Sequence, residues 1–323
     1  MDKYEIYEKA ENIIKQRRDN AIARNDRRIE EINKIIPEIR EENEKLFNTG
    51  FEIIDIVSRG GNVEYKMAEL KKKNWQSQMF IKDTLKHYGY SGDYLDMKYY
   101  CKNCNDTGYN EKGEYCECFM ELIKKISSEE FNKDSHINLS EFETFRLSYY
   151  EKEDYDIMSR IFERCKKFAY EFGTHNDNIL MTGDTGLGKT HLSLAIANEV
   201  IKKGYNVIYD SAMNIFHKIE NEHFGRDRVN DTISLVNDVD LLIIDDLGTE
   251  FESSFYNSTI YNIINTRINM LKSTIISTNL DRKEIEQRYS KRIYSRLTTM
   301  YTCFTFRGKD IRNRKKLESF NNQ

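Results

Sequence analysis

The octapeptide at residues 183–190 limits the fold of this chain more than any other feature. It reads Gly183-Asp184-Thr185-Gly186-Leu187-Gly188-Lys189-Thr190 and fits the pattern G-x-x-x-x-G-K-[ST]. Glycines at these positions let backbone N–H groups surround phosphate oxygens at a helix N-terminus. Lys189 would reach the β- and γ-phosphates, and Thr190 would ligate Mg²⁺. The motif therefore predicts a nucleotide-binding loop between a strand and a helix.

The residues around this loop have the pattern of an α/β domain. From about Phe142, short apolar runs alternate with amphipathic stretches, as a mainly parallel sheet covered by helices requires. The apolar runs predict strands at 179–182, 207–210, 241–245, 274–278 and 303–306. The stretches between them predict helices that include 189–203, 255–271 and 282–288.

Two acidic residues and an amide follow strands of this predicted sheet. The run Leu241-Leu242-Ile243-Ile244-Asp245-Asp246 predicts a strand that is buried on both faces and ends in two carboxylates. Asp245 would hold Mg²⁺ through water, and Asp246 would orient or deprotonate an attacking water. Asn279 ends a further strand, where its amide can hydrogen-bond the γ-phosphate or that water. Together with the phosphate loop, these residues predict nucleotide hydrolysis.

Residues 282–316 form a basic segment with twelve Lys or Arg, three acids and a local net charge of +9. Such a surface either meets phosphate, of a nucleotide or of DNA, or is a solvated helix face. Arg292 and Arg296 are spaced i, i+4 on one helix face. In that position either arginine can complete the nucleotide site of a neighbouring subunit. Arg312 is a further candidate sensor of the γ-phosphate.

Four of the six cysteines lie within eighteen residues, in the pattern C-x₂-C-x₁₁-C-x-C. The N-terminal residues do not read as a secretion signal, so we expect a metal site rather than disulfides. Thiolate ligands favour Zn²⁺, and an iron–sulfur cluster or free thiols are the alternatives. The candidate ligands are Cys101, Cys104, Cys116 and Cys118.

The N-terminal part of the chain has a helical pattern. Isoleucines recur in residues 2–48 at spacings of three, four and seven, and Pro37 should kink or interrupt the helix. A second helical stretch is predicted over 63–88. Helices this thinly apolar must bury their stripe against each other or against a partner protein. We expect a helical partner-binding region (1–98), a zinc module (99–121), a linker (122–141) and a nucleotide-binding domain (142–323). Within the linker, residues 127–140 are polar and have little periodicity.

The overall composition predicts a soluble cytoplasmic protein. No apolar stretch is long enough to span a bilayer, and no signal peptide is recognisable, so we expect no contact with a membrane. The net charge of −4 gives no indication of nucleic-acid binding, which leaves the basic segment as the one feature that points to it.

The order of these motifs resembles that of AAA+ ATPases. In detail they resemble the bacterial replicative helicase loaders of the DnaC/DnaI type and their IstB-like relatives. The resemblance covers about residues 142–316 and is carried by the segments 183–191, 241–248, 277–280 and 292–297, while residues 100–109 resemble the cysteine module of many loaders. It implies a five-stranded parallel sheet in the order 51432. Asp246 stands where most AAA+ proteins carry Glu, and this shorter carboxylate suits a slow switch better than a motor.

The resemblance also implies a function. A loader of this family uses ATP and Mg²⁺ to place the hexameric replicative helicase on single-stranded DNA, and the N-terminal region would grip the helicase. Subunits would form a homo-oligomer on ATP. Two other classes compete: a transposition helper ATPase and an adaptor that binds nucleotide without hydrolysing it. The long helical arm and the cysteine module favour the loader, and the joint presence of Lys189, Asp245, Asp246 and Asn279 opposes the adaptor.

Overall fold

The structure is a computed structural model that describes residues 3–60, 62–133, 139–175, 177–225 and 231–312. The chain forms two compact units. One comprises residues 9–119, and the other comprises the described parts of 1–8 and 120–323. The finer division into four parts stays a prediction.

Three long helices occupy most of the described N-terminal residues. They are α1 (Lys3–Ile35), α2 (Pro37–Arg59) and α3 (Val63–His87). Pro37 is the first residue of α2, where a missing N–H leaves no hydrogen bond unmade, and Ile36 before it is extended. The predicted interruption at Pro37 is therefore confirmed.

Helices α2 and α3 lie against each other in an antiparallel pair, with Thr49 Oγ1 3.2 Å from Asn74 Oδ1. A small apolar core is formed by Ile32, Ile36, Ile39, Ile81 and Leu85. Beyond it, large apolar side chains face solvent. Phe47, Phe51, Ile54 and Trp75 are 81, 68, 67 and 60% exposed.

Helix α4 (Glu117–Lys133) extends into the stretch 127–140, which the sequence analysis expected to lack helical periodicity. That expectation is wrong for residues 127–133. Leu122, Ile126 and Phe131 are buried at spacings of four and five, and this helical stripe is hard to recognise among the polar residues around it. Residues 134–138 lie outside the described residues.

Five parallel strands form the sheet of the second unit. They are β1 (Ile179–Thr182), β2 (Val207–Ser211), β3 (Leu241–Leu247), β4 (Ser273–Thr278) and β5 (Thr302–Thr305). Their order is β2-β3-β4-β1-β5, which is 51432 read from the other edge. The predicted fold class and strand order are confirmed.

Besides α4, six α-helices in the described part of this unit pack against the sheet. They are α5 (Lys152–Glu171), α6 (Lys189–Lys202), α7 (Ala212–His223), α8 (Thr232–Asp238), α9 (Ser254–Asn269) and α10 (Arg282–Thr299). Helix α10 is kinked at Ser290 (φ 76°, ψ 156°), so the predicted helix over 282–288 is followed by a second helical segment that reaches Thr299. Ile285 and Tyr289 are buried before the kink, and Ile293 and Leu297 are buried after it. None of the helices within the described ranges is long and apolar enough to cross a membrane.

Alternate residues of the strands face two apolar cores. Ile179, Met181, Ile243 and Ile275 belong to the core that contains buried residues of α5 and α6. Leu180, Ile208, Leu242 and Ile276 belong to the core that contains residues of α7 to α10. Because the strands are covered on both faces, only their ends are left to present polar side chains.

A buried arginine stabilises the end of the sheet at which β3 and β4 begin. Arg267 of α9 is fully buried and donates to the carbonyl oxygens of Val236 (2.7 Å), Val239 (2.9 Å) and Ser273 (2.5 Å). It also donates to Thr274 Oγ1 at 2.9 Å. Burial lowers the pKa of Arg267 to about 10, so the guanidinium is still charged at neutral pH.

Candidate nucleotide site

The phosphate loop joins β1 to α6 at the carboxyl edge of the sheet. Gly183, Gly186 and Gly188 have φ of 139°, 78° and 87°, which are values that L side chains rarely adopt. Space is also short there. A Cβ added to Gly188 would lie 2.7 Å from a Phe145 ring carbon, and one added to Gly183 would lie 2.6 Å from the Phe306 carbonyl oxygen. These glycines are therefore required by conformation and by packing alike.

Lys189 is the first residue of α6 and is buried. Its Nζ donates to the carbonyl oxygens of Gly183 (2.5 Å) and Asp184 (2.8 Å) and to Asn279 Oδ1 (2.7 Å). Burial lowers the pKa of Lys189, and the charges of Asp246 and Asp245 oppose that shift. The ammonium group is thus held within the phosphate loop, next to the Asn279 amide that is predicted to contact the γ-phosphate or the attacking water.

Asp245 lies in β3, two residues before its last residue Leu247, and accepts three hydroxyl hydrogen bonds. Thr190 Oγ1 donates to Asp245 Oδ2 at 2.9 Å, and the Tyr209 hydroxyl donates to the same oxygen at 2.5 Å. Ser277 Oγ donates to Asp245 Oδ1. Burial raises the pKa of Tyr209, so its hydroxyl stays protonated. The predicted Mg²⁺ ligands Thr190 and Asp245 are brought together, and their oxygen donors suit this hard cation.

Asp246 adopts a left-handed backbone conformation, with φ 53°. Its N–H donates to Ser277 Oγ at 2.9 Å, so one serine contacts both acidic residues. Burial and the charge of Asp245 raise the pKa of Asp246. Among the described residues, the Asp246 carboxylate accepts no hydrogen bond, so it is available to a water or a phosphate.

A cavity of about 310 Å³ lies over the loop. Its lining includes the predicted residues Thr185, Lys189, Asp246, Asn279 and Arg312. The backbone N–H of Arg312 donates to Asp310 Oδ1 at 2.9 Å. The positive charge of the Arg312 side chain acts to lower the pKa of both Lys189 and Asp246. The end of the basic segment, 313–316, lies outside the described residues.

Other lining residues were missed by the sequence analysis. The cavity is also lined by Ser140, Thr144, Phe145, Arg146, Tyr149, His191, Leu194 and Ile311. The aromatic run from Phe142 to Tyr150 was a usable signal, because it stands at the start of the predicted nucleotide-binding domain. In the structure, the Tyr150 hydroxyl donates to the Leu187 carbonyl at 2.8 Å. Tyr209 and Ser277 gave only a weak signal: each is a hydroxyl near the end of a strand that neighbours β3.

The two arginines of α10 are not at this cavity. Arg296 donates from Nε (3.2 Å) and Nη2 (3.0 Å) to Asn265 Oδ1, and its guanidinium lies 4.7 Å from the centre of the Tyr261 ring. Arg292 is exposed. Neither residue borders the nucleotide cavity of its own chain.

The four clustered cysteines come together in the other unit. Their Sγ atoms lie within 4.8 Å of one another, with 3.9 Å between Cys101 and Cys116 and 3.5 Å between Cys104 and Cys118. Four thiolates about 2.3 Å from a tetrahedral zinc ion lie about 3.8 Å apart. The geometry therefore fits the predicted zinc ion.

A buried carboxylate that the sequence analysis missed supports this cluster. Both oxygens of Asp106 accept backbone N–H groups, from Tyr100 and Cys101, each at 2.8 Å. Asn105 and Asp106 have φ of 51° and 53°, so the chain turns tightly between the first two cysteines and the rest of the module. Gly108 (φ 80°) and Gly113 (φ 78°) also have positive φ, which glycine adopts readily.

Comparison with known proteins identifies the family of the second unit. The family described as "IstB-like ATP binding protein" matches residues 128–319. The chain belongs to this family. This match, together with the parallel sheet and the phosphate loop, confirms the AAA+ type of ATP-binding domain.

Curated relatives extend the similarity to named proteins. The chain is 26% identical to the "Replicative helicase loader DnaC" of Buchnera aphidicola subsp. Acyrthosiphon pisum (strain APS), over 45% of this chain and 60% of that protein. It is 27% identical to the "Replicative helicase loader DnaC" of Escherichia coli (strain K12), over 42% and 55% of the two chains. The predicted resemblance to the DnaC-type loaders is confirmed, and the chain spans 55–60% of the length of these two relatives.

Solved structures include two similar chains. "Crystal structure of the DnaC helicase loader" aligns with a TM-score of 0.46 and 22% identity, over 52% of this chain and 97% of that one. "Crystal Structure of the DnaI" aligns with a TM-score of 0.45 and 20% identity, over 54% and 90%.

Proposed function

We propose that this protein is an ATP-dependent loader of the replicative DNA helicase onto single-stranded DNA, with ATP as the switch. The observation that carries the proposal is the assembled nucleotide site, where Lys189, Thr190 and Asp245 meet beside Asn279. Relatives of the ATP-binding domain are named replicative helicase loaders. We choose the replicative helicase as the partner because of these names. Such a protein works in the cytoplasm.

Each residue of the site has one task in this proposal. Lys189 offsets the charge of the β- and γ-phosphates, and Thr190 and Asp245 would hold Mg²⁺, which would supply positive charge to offset that of the phosphates. Asp246 accepts a proton from the attacking water. Asn279 orients this water or the γ-phosphate through its Nδ2 group, because its Oδ1 already accepts from Lys189. Arg312 is a further cation beside the γ-phosphate.

A neighbouring subunit completes the site with an arginine. Arg296 is the first choice because Asn265 and Tyr261 hold its guanidinium in one position, and such pre-ordering lowers the cost of a new contact. Arg292, one turn away and exposed, is the alternate. When ATP binding leads to a homo-oligomer, helix α10 of one subunit would lie next to the nucleotide of its neighbour. An arginine supplied in this way accelerates hydrolysis by about 10³–10⁵-fold.

The N-terminal helices grip the helicase. Large exposed apolar side chains mark protein contact surfaces, and α2 presents Phe47, Phe51 and Ile54 at spacings of four and three. These spacings place the three residues on one helix face. The cysteine module holds one zinc ion, whose binding energy stabilises the local fold.

The alternative is an IstB-like transposition helper, which the family match over 128–319 favours equally. The two functions share the ATP chemistry and differ in the protein partner. A partner experiment therefore separates them, whereas an ATPase measurement does not.

The test is capture of the replicative helicase by the full-length protein, measured by size-exclusion chromatography with light scattering. Phe51→Ser should weaken capture at least tenfold and leave ATP affinity unchanged. Tyr170→Ser is the matched control, since Tyr170 is 54% exposed in the ATP-binding unit, and it should capture normally. If wild type captures no helicase, or captures a transposase instead, the loader assignment is wrong.

A further inference from the structure

The carboxylate of Asp245 is held from both neighbouring strands. Ser277 of β4 donates to Oδ1, and Tyr209 of β2 donates to Oδ2 at 2.5 Å. Strand β3 lies between β2 and β4, so the two hydroxyls approach the carboxylate from opposite sides. Neither hydroxyl belongs to the phosphate loop or to the residues proposed above to contact nucleotide.

Tyr209 is placed for this contact by the sheet register and by a helix side chain. Tyr209 pairs with Ile243 and Ser211 pairs with Asp245, so Tyr209 and Asp245 project from the same face of the sheet. At the edge of the sheet, the Tyr209 N–H donates to Asn132 Oδ1 at 3.1 Å, and Asn132 Nδ2 donates to the Val207 carbonyl at 2.6 Å. Asn132 thus replaces a neighbouring strand and fixes the backbone of β2 at Tyr209.

The oxygen of Asp245 that faces the phosphate loop is Oδ2. It accepts hydrogen bonds from the hydroxyls of Tyr209 and of Thr190, the other predicted Mg²⁺ ligand. With Ser277 on Oδ1 and Tyr209 on Oδ2, rotation of the carboxylate would break two hydrogen bonds to a charged group. Hydrogen bonds of this kind are among the strongest in proteins.

We propose that the Tyr209 hydroxyl is a positioning group that fixes Asp245 Oδ2 toward Thr190, and so sets how strongly Mg²⁺ supports nucleotide binding and hydrolysis. This inference rests on the proposed ATP-dependent function. It adds a residue from β2, at the edge of the sheet, that acts through Asp245 and does not touch the nucleotide.

The test compares two single-hydroxyl deletions in the full-length protein. Tyr209→Phe removes the hydroxyl and keeps the ring. Tyr256→Phe is the matched control, because the Tyr256 hydroxyl also donates to a carboxylate, Glu220 Oε2 at 2.7 Å, and neither residue borders the nucleotide cavity. A purely structural role of such a hydrogen bond would lower the melting temperature of both variants by similar amounts.

The readouts are the dissociation constant of a fluorescent ATP analogue with and without Mg²⁺, the Mg²⁺ concentration for half-maximal hydrolysis, and kcat. For Tyr209→Phe we expect unchanged affinity without Mg²⁺, a rise of at least about tenfold in the Mg²⁺ requirement and a similar fall in kcat. Tyr256→Phe should match wild type in all three. The inference is overturned if Tyr209→Phe also matches wild type, or if it loses affinity equally with and without Mg²⁺.

The outcome is separate from that of the proposed function. If wild type binds the analogue with Mg²⁺ but hydrolyses no ATP, the proposed hydrolysis fails, and the Mg²⁺ dependence of binding still tests Tyr209. If hydrolysis is confirmed and Tyr209→Phe is indistinguishable from wild type, the positioning role alone fails.

Discussion

Replacing each of the two adjacent carboxylates by an amide should have opposite effects on stability. Asp246 is ionised at a cost, because burial and Asp245 raise its pKa. A carboxyl group whose pKa is raised on folding destabilises the folded state above that pKa, and the cost disappears as the pH falls through it. Asp246→Asn removes this charge at neutral pH and breaks no hydrogen bond among the described residues. Asn also tolerates the left-handed φ of 53° at this position. Its melting temperature should therefore equal or exceed that of wild type.

Asp245→Asn should behave differently, because Asp245 accepts from Thr190, Tyr209 and Ser277. An amide replaces one acceptor oxygen by a donor, so at least one hydroxyl bond to a charged group is lost. Such a bond contributes about 1.5–3 kcal/mol. For a domain of this size the melting temperature should fall by roughly 3–12 °C.

The two variants should also differ in ATP binding and hydrolysis. Asp246→Asn should bind ATP normally and lose about 100-fold or more in kcat, the contribution of a positioned general base. Asp245→Asn should lose the Mg²⁺ dependence of binding. Wild-type hydrolysis should decline with falling pH as Asp246 becomes protonated, at a higher pH than an ordinary aspartate would give. The reasoning is refuted if Asp246→Asn turns over ATP like wild type, or if it melts below Asp245→Asn.

Three further predictions follow from other parts of the molecule. Elemental analysis should find one zinc per chain; Cys101→Ser should lose it and Cys303→Ser should keep it, and wild type without metal would contradict the site. Arg296→Ala should bind ATP normally but show no stimulation by single-stranded DNA, and mixing it with Lys189→Ala should restore some activity; failure of every mixture would leave Arg296 as part of a basic surface. Arg267→Met should lower stability by about 3 kcal/mol or more, because several buried carbonyl groups lose their donor, and a melting temperature within 2 °C of wild type would refute that role.

The sequence predicts most of what local chemistry determines. The phosphate loop, Asp245 and Asn279 are each recognisable from a short segment, because a strand must precede them and the ends of parallel strands meet at one edge. The four cysteines are recognisable for a similar reason, since metal ligands must recur at spacings that a short turn can bridge.

Features that depend on tertiary neighbours could not be predicted in this way. The hydroxyl of Tyr209 matters because β2 lies beside β3, and no local pattern shows that its ring reaches Asp245. Asp106 was missed although its partners are close in the chain: its carboxylate accepts the backbone N–H groups of Tyr100 and Cys101, and a single aspartate between cysteines does not by itself indicate this contact. Helix α4 was missed because its apolar stripe is sparse.

The central claim is that ATP binding at Lys189 controls delivery of the helicase to DNA, and one measurement tests it most directly. The replicative helicase is incubated with closed circular single-stranded DNA and ATP, with or without the full-length protein, and helicase bound to the circle is quantified. Loading should require the protein, and Lys189→Ala should lower it to the level seen without protein, although this variant should bind the helicase as wild type does. Loading that is equal with wild type, with Lys189→Ala and without protein would contradict the account.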